Sequence, residues 1–190
     1  YQLPKSKNNT QLSEKMVKFV NVCLLQSNNL IYSPTNTNTE DVDYYIANTF
    51  EEKKIFDEII KPCIDIYGIN NTIIIAPTIS STTFVRLVNY ISLNTNYPTH
   101  LPNNDSMISD KRIYDNKLIF LSFHQSKGIE RDCVIVYDVD DYYSCRFEKG
   151  KSRDTCPNAM YVALTRAKKK LVMFHGLNNE FLGCLNIPEL

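Results

Sequence analysis

The apolar positions of this chain fall into two patterns. Four short runs, Ile73–Ala76, Leu118–Leu121, Cys133–Tyr137 and Leu171–His175, are apolar at nearly every position and rich in β-branched residues. Continuous runs of that length suit strands buried on both faces, as in a parallel sheet covered by helices. The second pattern has helical spacing. Leu12–Leu25 carries Leu12, Met16, Phe19, Val20 and Cys23 on one face, with Thr10 or Ser13 placed to cap it. Phe50–Tyr67 aligns Ile55, Ile59, Ile60, Cys63 and Ile66, with Pro62 expected to kink or split the helix. Ser80–Leu93 groups Phe84, Leu87, Val88 and Ile91, and an amphipathic helix is predicted over Asn158–Lys168. Two further strands are expected at Leu30–Ser33 and Tyr44–Ala47. Pro34–Thr39, Asn94–Asn116 and Asp138–Asp154 read as irregular connections, and Asn178–Leu190 as a short helix with a loose tail. Strands alternating with helices predict an α/β fold with a mostly parallel sheet.

Composition narrows this without redirecting it. The 190 residues suffice for one α/β domain with a real core. Formal net charge is zero, so no whole-molecule field attracts nucleic acid, although a local basic groove is compatible with it. No apolar run approaches transmembrane length, and a membrane partner is not expected. The six cysteines are scattered, without CxxC spacing or paired histidines. No metal site is expected from them, and thiols of an intracellular, reducing compartment are the simpler reading. A chain that opens on Tyr1 is expected to be a piece of a longer protein.

Chemistry concentrates between two of the strands. Ser122-Phe123-His124-Gln125-Ser126-Lys127-Gly128-Ile129-Glu130 brings hydroxyl, imidazole, amide, ammonium and carboxylate together after an expected strand. Open α/β sheets bind ligands at the carboxyl ends of strands. The helix at Asn158–Lys168 delivers Thr165 and Arg166 immediately before the last strand. Gly150-Lys151-Ser152 imitates the end of a phosphate-binding loop. The full signature needs a glycine where Cys145 stands, and Glu148 would repel the anion. No other glycine-rich phosphate loop exists, so this chain has no Walker A of its own. His100 and His175 sit in no motif, and the Lys168-Lys169-Lys170 run reads as a solvated helix end.

These two stretches resemble motifs V and VI of the UvrD/Rep-type superfamily 1 DNA helicases. The family's motif V, T-x-H-x-x-K-G-L-E before an apolar strand, is matched conservatively by Ser122 to Glu130, and Y-V-A-L-T-R-A is matched throughout from Tyr161 to Ala167. The resemblance implies a second, C-terminal RecA-like (P-loop NTPase-like) domain spanning residues 1–190. ATP with Mg2+ would be held mainly by a first, N-terminal RecA-like domain of the same protein, and single-stranded DNA is the other implied partner. Arg166 then takes the part of the guanidinium that reaches the γ-phosphate, Glu130 reaches the ribose, and Gly128 allows close backbone approach. Ser122 and His124 face the DNA and Lys127 meets phosphate or the DNA backbone, against a bland reading of His124 as a satisfied histidine at a strand end and of Lys127 as a solvated lysine.

Two departures stand out. The motif IV arginine position falls on Gln11, an amide that cannot stabilise phosphate charge as a guanidinium does. The strand of motif IVa is represented by Ile73-Ile74-Ile75-Ala76-Pro77-Thr78 and its helix by Ser80–Leu93, where Arg86 reads best as a solvated helix residue. Residues 94–116 form only a short loop where larger relatives insert a subdomain. Two functions stay open: an ATP-dependent helicase motor domain, inactive as this fragment alone, and a catalytically degenerate module that binds protein or nucleic acid.

Overall fold

The computed structural model describes residues 14–24, 42–103, 114–149, 154–177 and 179–185. Their secondary structure runs α1 (Glu14–Lys18, continuing as a π-helical stretch over Phe19–Leu24), β1 (Val42–Ala47), α2 (Glu52–Ile55), a π-helical turn (Phe56–Ile60) and α3 (Lys61–Tyr67). After these come a 3-10 turn (Ile69–Asn71), β2 (Thr72–Ala76), α4 (Thr82–Asn94), β3 (Thr99–His100), β4 (Leu118–Ser122), β5 (Arg131–Val136), α5 (Asp141–Phe147), α6 (Asn158–Leu164) and β6 (Ala167–Gly176). Among the described residues six strands form one sheet in the order β1-β6-β5-β2-β4-β3, every pair parallel. The expected Leu30–Ser33 strand and Gln11 lie outside the described residues.

The unbroken apolar runs are explained by two cores. Ile73, Ile75, Leu121, Val134, Val136 and Met173 point to one face, where α1 and α6 cover them with Met16, Phe19, Val20, Met160, Ala163 and Leu164. Ile74, Phe120, Ile135, Val172 and Phe174 point to the other, under Phe56, Ile60, Phe84, Leu87 and Ile91 of the π-helical turn and α4. Because strand side chains alternate between faces, a sheet covered on both sides is apolar at every position. Ser81 caps α4 by accepting from the Phe84 N–H at 3.4 Å.

Several expectations are corrected. The interruption at Pro62 takes the form of the π-helical turn Phe56–Ile60, which hands over to α3 with Pro62 in its first turn. The widened turn shifts the helical phase, so Ile66 is 72% exposed rather than on the core face. Within the expected irregular stretch after Asp138 lies α5, nucleated by Asp140, whose carboxylate accepts from the Tyr142 N–H at 3.0 Å. Thr99–His100 pairs with β4 inside the expected 94–116 loop. Lys168-Lys169-Lys170 belongs to β6 and not to a helix end, and Lys169 and Lys170 pair with Asp132 and Asp43 at 3.0 and 2.7 Å. The segment 179–185 contains no helix and is no loose tail, since Leu182, Cys184 and Leu185 are buried in the first core.

Candidate functional site

The stretch 122–130 does more than decorate a strand end. Since β4 and β5 both run parallel to β2, the chain leaving β4 at the carboxyl edge must return to the amino edge before β5 begins. Residues 123–130 make that return alone, shorter than the dozen or so residues usual for a parallel crossover. The two ends of the stretch therefore sit at opposite edges of the sheet, separated by the length of a five-residue strand, roughly 15 Å. The expectation that the whole loop lies at the carboxyl edge is corrected by this connectivity.

At the carboxyl edge the turn is held from within. Ser122 is fully buried, and its N–H and Oγ donate to Gln125 Oε1 at 3.0 and 3.3 Å. Ser126 Oγ donates to the Phe123 carbonyl at 2.7 Å, while Phe123 and Ile129 bury their side chains in the core. The Ser122 hydroxyl is thus part of the turn's frame, and the expected nucleic-acid contact from it is replaced by a positioning role. His124 and Lys127 are exposed beside it. Gly128 has φ of 79°, a left-handed backbone that favours glycine, and an added Cβ would meet nothing within 4 Å. Within this chain its value is conformational freedom, and the space beside it is open.

At the amino edge the return brings Glu130 to Arg166. Helix α6 ends at Leu164, and Arg166 Nε donates to the Val162 carbonyl at 2.8 Å, satisfying one of the orphan acceptors of a helix C-terminus. Arg166 Nη2 donates to Thr165 Oγ1 at 3.3 Å, and Nη1 stands 3.7 Å from Glu130 Oε1. The two side chains keep 18% and 30% of their surface exposed, so this is a loose pair open to solvent and not a buried bridge. The Arg131 N–H donates to the Arg166 carbonyl at 3.2 Å, locking β5 to the start of β6. Arg131 was not singled out from the sequence, yet Nη1 donates to the Glu130 carbonyl at 2.9 Å, and its buried Nε has no partner among the described residues. Its signal was a second guanidinium directly after the motif V carboxylate.

The structure therefore unites Glu130 and Arg166, places His124 and Lys127 on the exposed part of the turn, and sequesters Ser122. Chemically, the amino edge offers a guanidinium that keeps an exposed fraction able to meet an anion and a carboxylate able to accept from hydroxyls. Among the described residues no three His, Cys, Asp or Glu side chains are grouped so as to hold a metal ion, and no helix is long and apolar enough to cross a membrane. His175, in no motif, is buried, with Nδ1 2.7 Å from the Tyr44 hydroxyl and Nε2 3.0 Å from the Asn179 carbonyl.

Residues 66–176, more than half of the chain, match the model of the UvrD-like helicase C-terminal domain family. Among solved structures, the C-terminal domain of a possible DNA helicase from Lactobacillus plantarum WCFS1 is similar in fold. Its TM-score is 0.55 at 12% identity, covering 93% of this chain and 92% of that one. No curated protein matches. With the parallel sheet flanked by helices, these findings agree with an α/β RecA-like fold.

Proposed function

Since the chain belongs to the family of UvrD-like helicase C-terminal domains, we propose that it is the second motor half of an ATP-dependent DNA helicase or translocase. In the full-length protein its amino edge would close on a nucleotide held by a first RecA-like domain. The observation that carries this reading is the meeting of Arg166 and Glu130, supplied by two separate elements, each partly exposed, 3.7 Å apart.

Phosphoryl transfer from ATP spreads negative charge over the equatorial oxygens of the γ-phosphate in a loose transition state. A guanidinium delivered across a domain interface stabilises that charge. Arg166 suits this role because the α6 carbonyl and Thr165 hydroxyl orient its head without burying it. Glu130, held only at ion-pair distance, is free to accept from a ribose hydroxyl once Arg166 engages phosphate. The donor set fits one half of such a site: it brings cationic charge for the anion and leaves magnesium to the phosphates and the first domain. Magnesium would supply neutralisation of the β- and γ-phosphate charge there. At the opposite edge, the exposed His124 and Lys127 suit sequence-independent contact with single-stranded DNA, the imidazole by stacking and the ammonium at the backbone. Ser122 and Gln125 fix the turn that presents them.

Arg166→Ala in the full-length protein is expected to lower DNA-stimulated ATP turnover on the order of a thousandfold, with single-strand binding retained. Turnover within a few fold of the parent would exclude the finger role. One observation favours a second reading, a degenerate binding module: Gln11 stands where the family carries a phosphate-reaching arginine. That reading predicts no DNA-stimulated turnover in the parent protein, and single-strand affinity that still falls on His124→Ala.

A further inference from the structure

The carboxyl edge of the sheet holds a feature outside the motor reading. Where β1, β5 and β6 end and α4 begins, a cavity of about 260 Å³ opens to solvent, lined by Asn48, Phe50, Thr82, Thr83, Asp138 and Leu177 among others. Asp138 keeps only 6% of its surface, and its carboxylate has neither a hydrogen-bond donor nor an ion-pair partner among the described residues. Its backbone adopts φ of 54°, a left-handed conformation uncommon outside glycine, asparagine and aspartate. A carboxylate held nearly out of water, without a partner, on a strained backbone and at a cavity wall is poor for stability. Such costs persist where a ligand repays them.

The chemistry of the walls selects the ligand. Behind Asp138 lies Asp140, fully buried and already committed: its Oδ2 accepts from the Gly176 N–H and from Asn179 Nδ2, each at 2.8 Å. Burial first, and Asp140 second, push the Asp138 carboxyl up to about 7, and once Asp138 ionises the pair gives the cavity a negative potential. That potential repels nucleic-acid phosphates and attracts a cation. Asp138 is the acidic side chain of the described lining, and a planar organic cation fits it better than a metal ion, which demands a fuller set of carboxylates. Phe50, half-exposed at the rim, supplies an aromatic face. Its ring already carries the Arg86 guanidinium, itself paired with Glu52, at 5.5 Å, and half of the residue's surface remains exposed for a second contact. The Thr82 and Thr83 hydroxyls add acceptors beside it.

We propose that this cavity is a guanidinium pocket that receives one arginine side chain of a docking protein segment, paired to Asp138 and flanked by Phe50. The planar fork of arginine matches a carboxylate in two parallel bonds, and its weak hydration suits a nearly buried partner. The pocket occupies the edge where open α/β sheets place ligands, away from the Glu130–Arg166 pair at the amino edge, so it stands whether or not the motor reading does.

The test is a nuclear magnetic resonance titration of the full chain with a capped glycine-arginine-glycine peptide and with its citrulline counterpart, a neutral isostere. The arginine peptide is expected to move the backbone amides of Thr83, Gly176 and Leu177, and citrulline to bind at least about tenfold more weakly. Asp138→Asn, which keeps a residue tolerant of the left-handed backbone, is expected to lose the arginine peptide by a similar factor while its spectrum stays folded. Phe50→Ala, which leaves the carboxylate in place, is expected to weaken it several-fold. Equal binding of arginine and citrulline overturns the proposal, as does an Asp138→Asn chain that binds as well as the parent. So does an oligo(dG) strand that moves these amides while the arginine peptide leaves them still, which would make the cavity a base pocket.

Discussion

Asp138 shows how a single residue can report on a site through stability. Its folded carboxyl titrates near 7 against an ordinary value of 3.8, raised first by burial and then by Asp140. Between those values the native state holds a proton that the unfolded chain has released. The stabilising contribution is therefore complete below about pH 4 and is lost as pH rises through 7. At pH 8 the ionised, unpartnered group leaves the fold weaker, on the order of 2–4 kcal/mol for a shift of this size. Asp138→Asn removes the titration and keeps the left-handed turn accessible. Urea unfolding of the variant is expected to match the parent near pH 4 and to exceed it at pH 8. A variant less stable than the parent at pH 8 would mean that the carboxylate already has a partner. In the sequence, Asp138 was only the first residue of the expected irregular connection Asp138–Asp154, with Asp140 and Asp141 close behind. Nothing in residue order says that Asp138 and Asp140 are both carried inward at the end of β5, or that Asp140 finds donors there while Asp138, among the described residues, does not.

Among the elements, the crossover 122–130 separates what a sequence tells from what it withholds. Its motif, the flanking apolar strands and the helix before Arg166 were all legible, because short apolar runs and 3.6-residue spacing survive in one dimension. The edges of the sheet were not. Both Ser122 and Glu130 looked like members of one loop at one strand end, and it is the parallel direction of β4 and β5, each against β2, that sends them to opposite edges. The π-helical turn before Pro62 and the capped helix α5 escaped for a related reason, since each shifts or creates a helical phase that local spacing does not encode. The crossover's stiffness is open to measurement. Gly128→Ala forces a Cβ onto φ of 79° in open space, so its cost is conformational strain alone, about 1 kcal/mol. Gln125→Ala removes the acceptor of the buried Ser122 N–H, at about 1–3 kcal/mol. Urea midpoints that rank the alanine at Gly128 as the costlier change would show that the turn is held by its backbone rather than by the buried amide.

The described residues form one sheet between two cores, and that arrangement makes a claim about cooperativity. Each strand of the centre contributes alternate side chains to both cores, so neither layer of helices can leave without exposing the strands that the other layer also needs. Free thiols report on both sides. Cys133 is fully buried in the core under α4, and Cys184 is fully buried in the core under α1 and α6, while Cys145 on α5 is exposed. A thiol reagent is expected to modify Cys145 in the native protein at once. Cys133 and Cys184 should become reactive together, at the urea concentration where helical signal is lost, as one cooperative unit requires. Cys184 is the more demanding probe, because it sits on the final stretch of described chain, which has no secondary structure of its own. That stretch is anchored by Leu182 and Leu185 in the core and by the Asn179 side chain on Asp140. Should Cys184 react at distinctly lower urea than Cys133, the last residues would be a separately melting strap over the first core. The fold's cooperative unit would then end with β6.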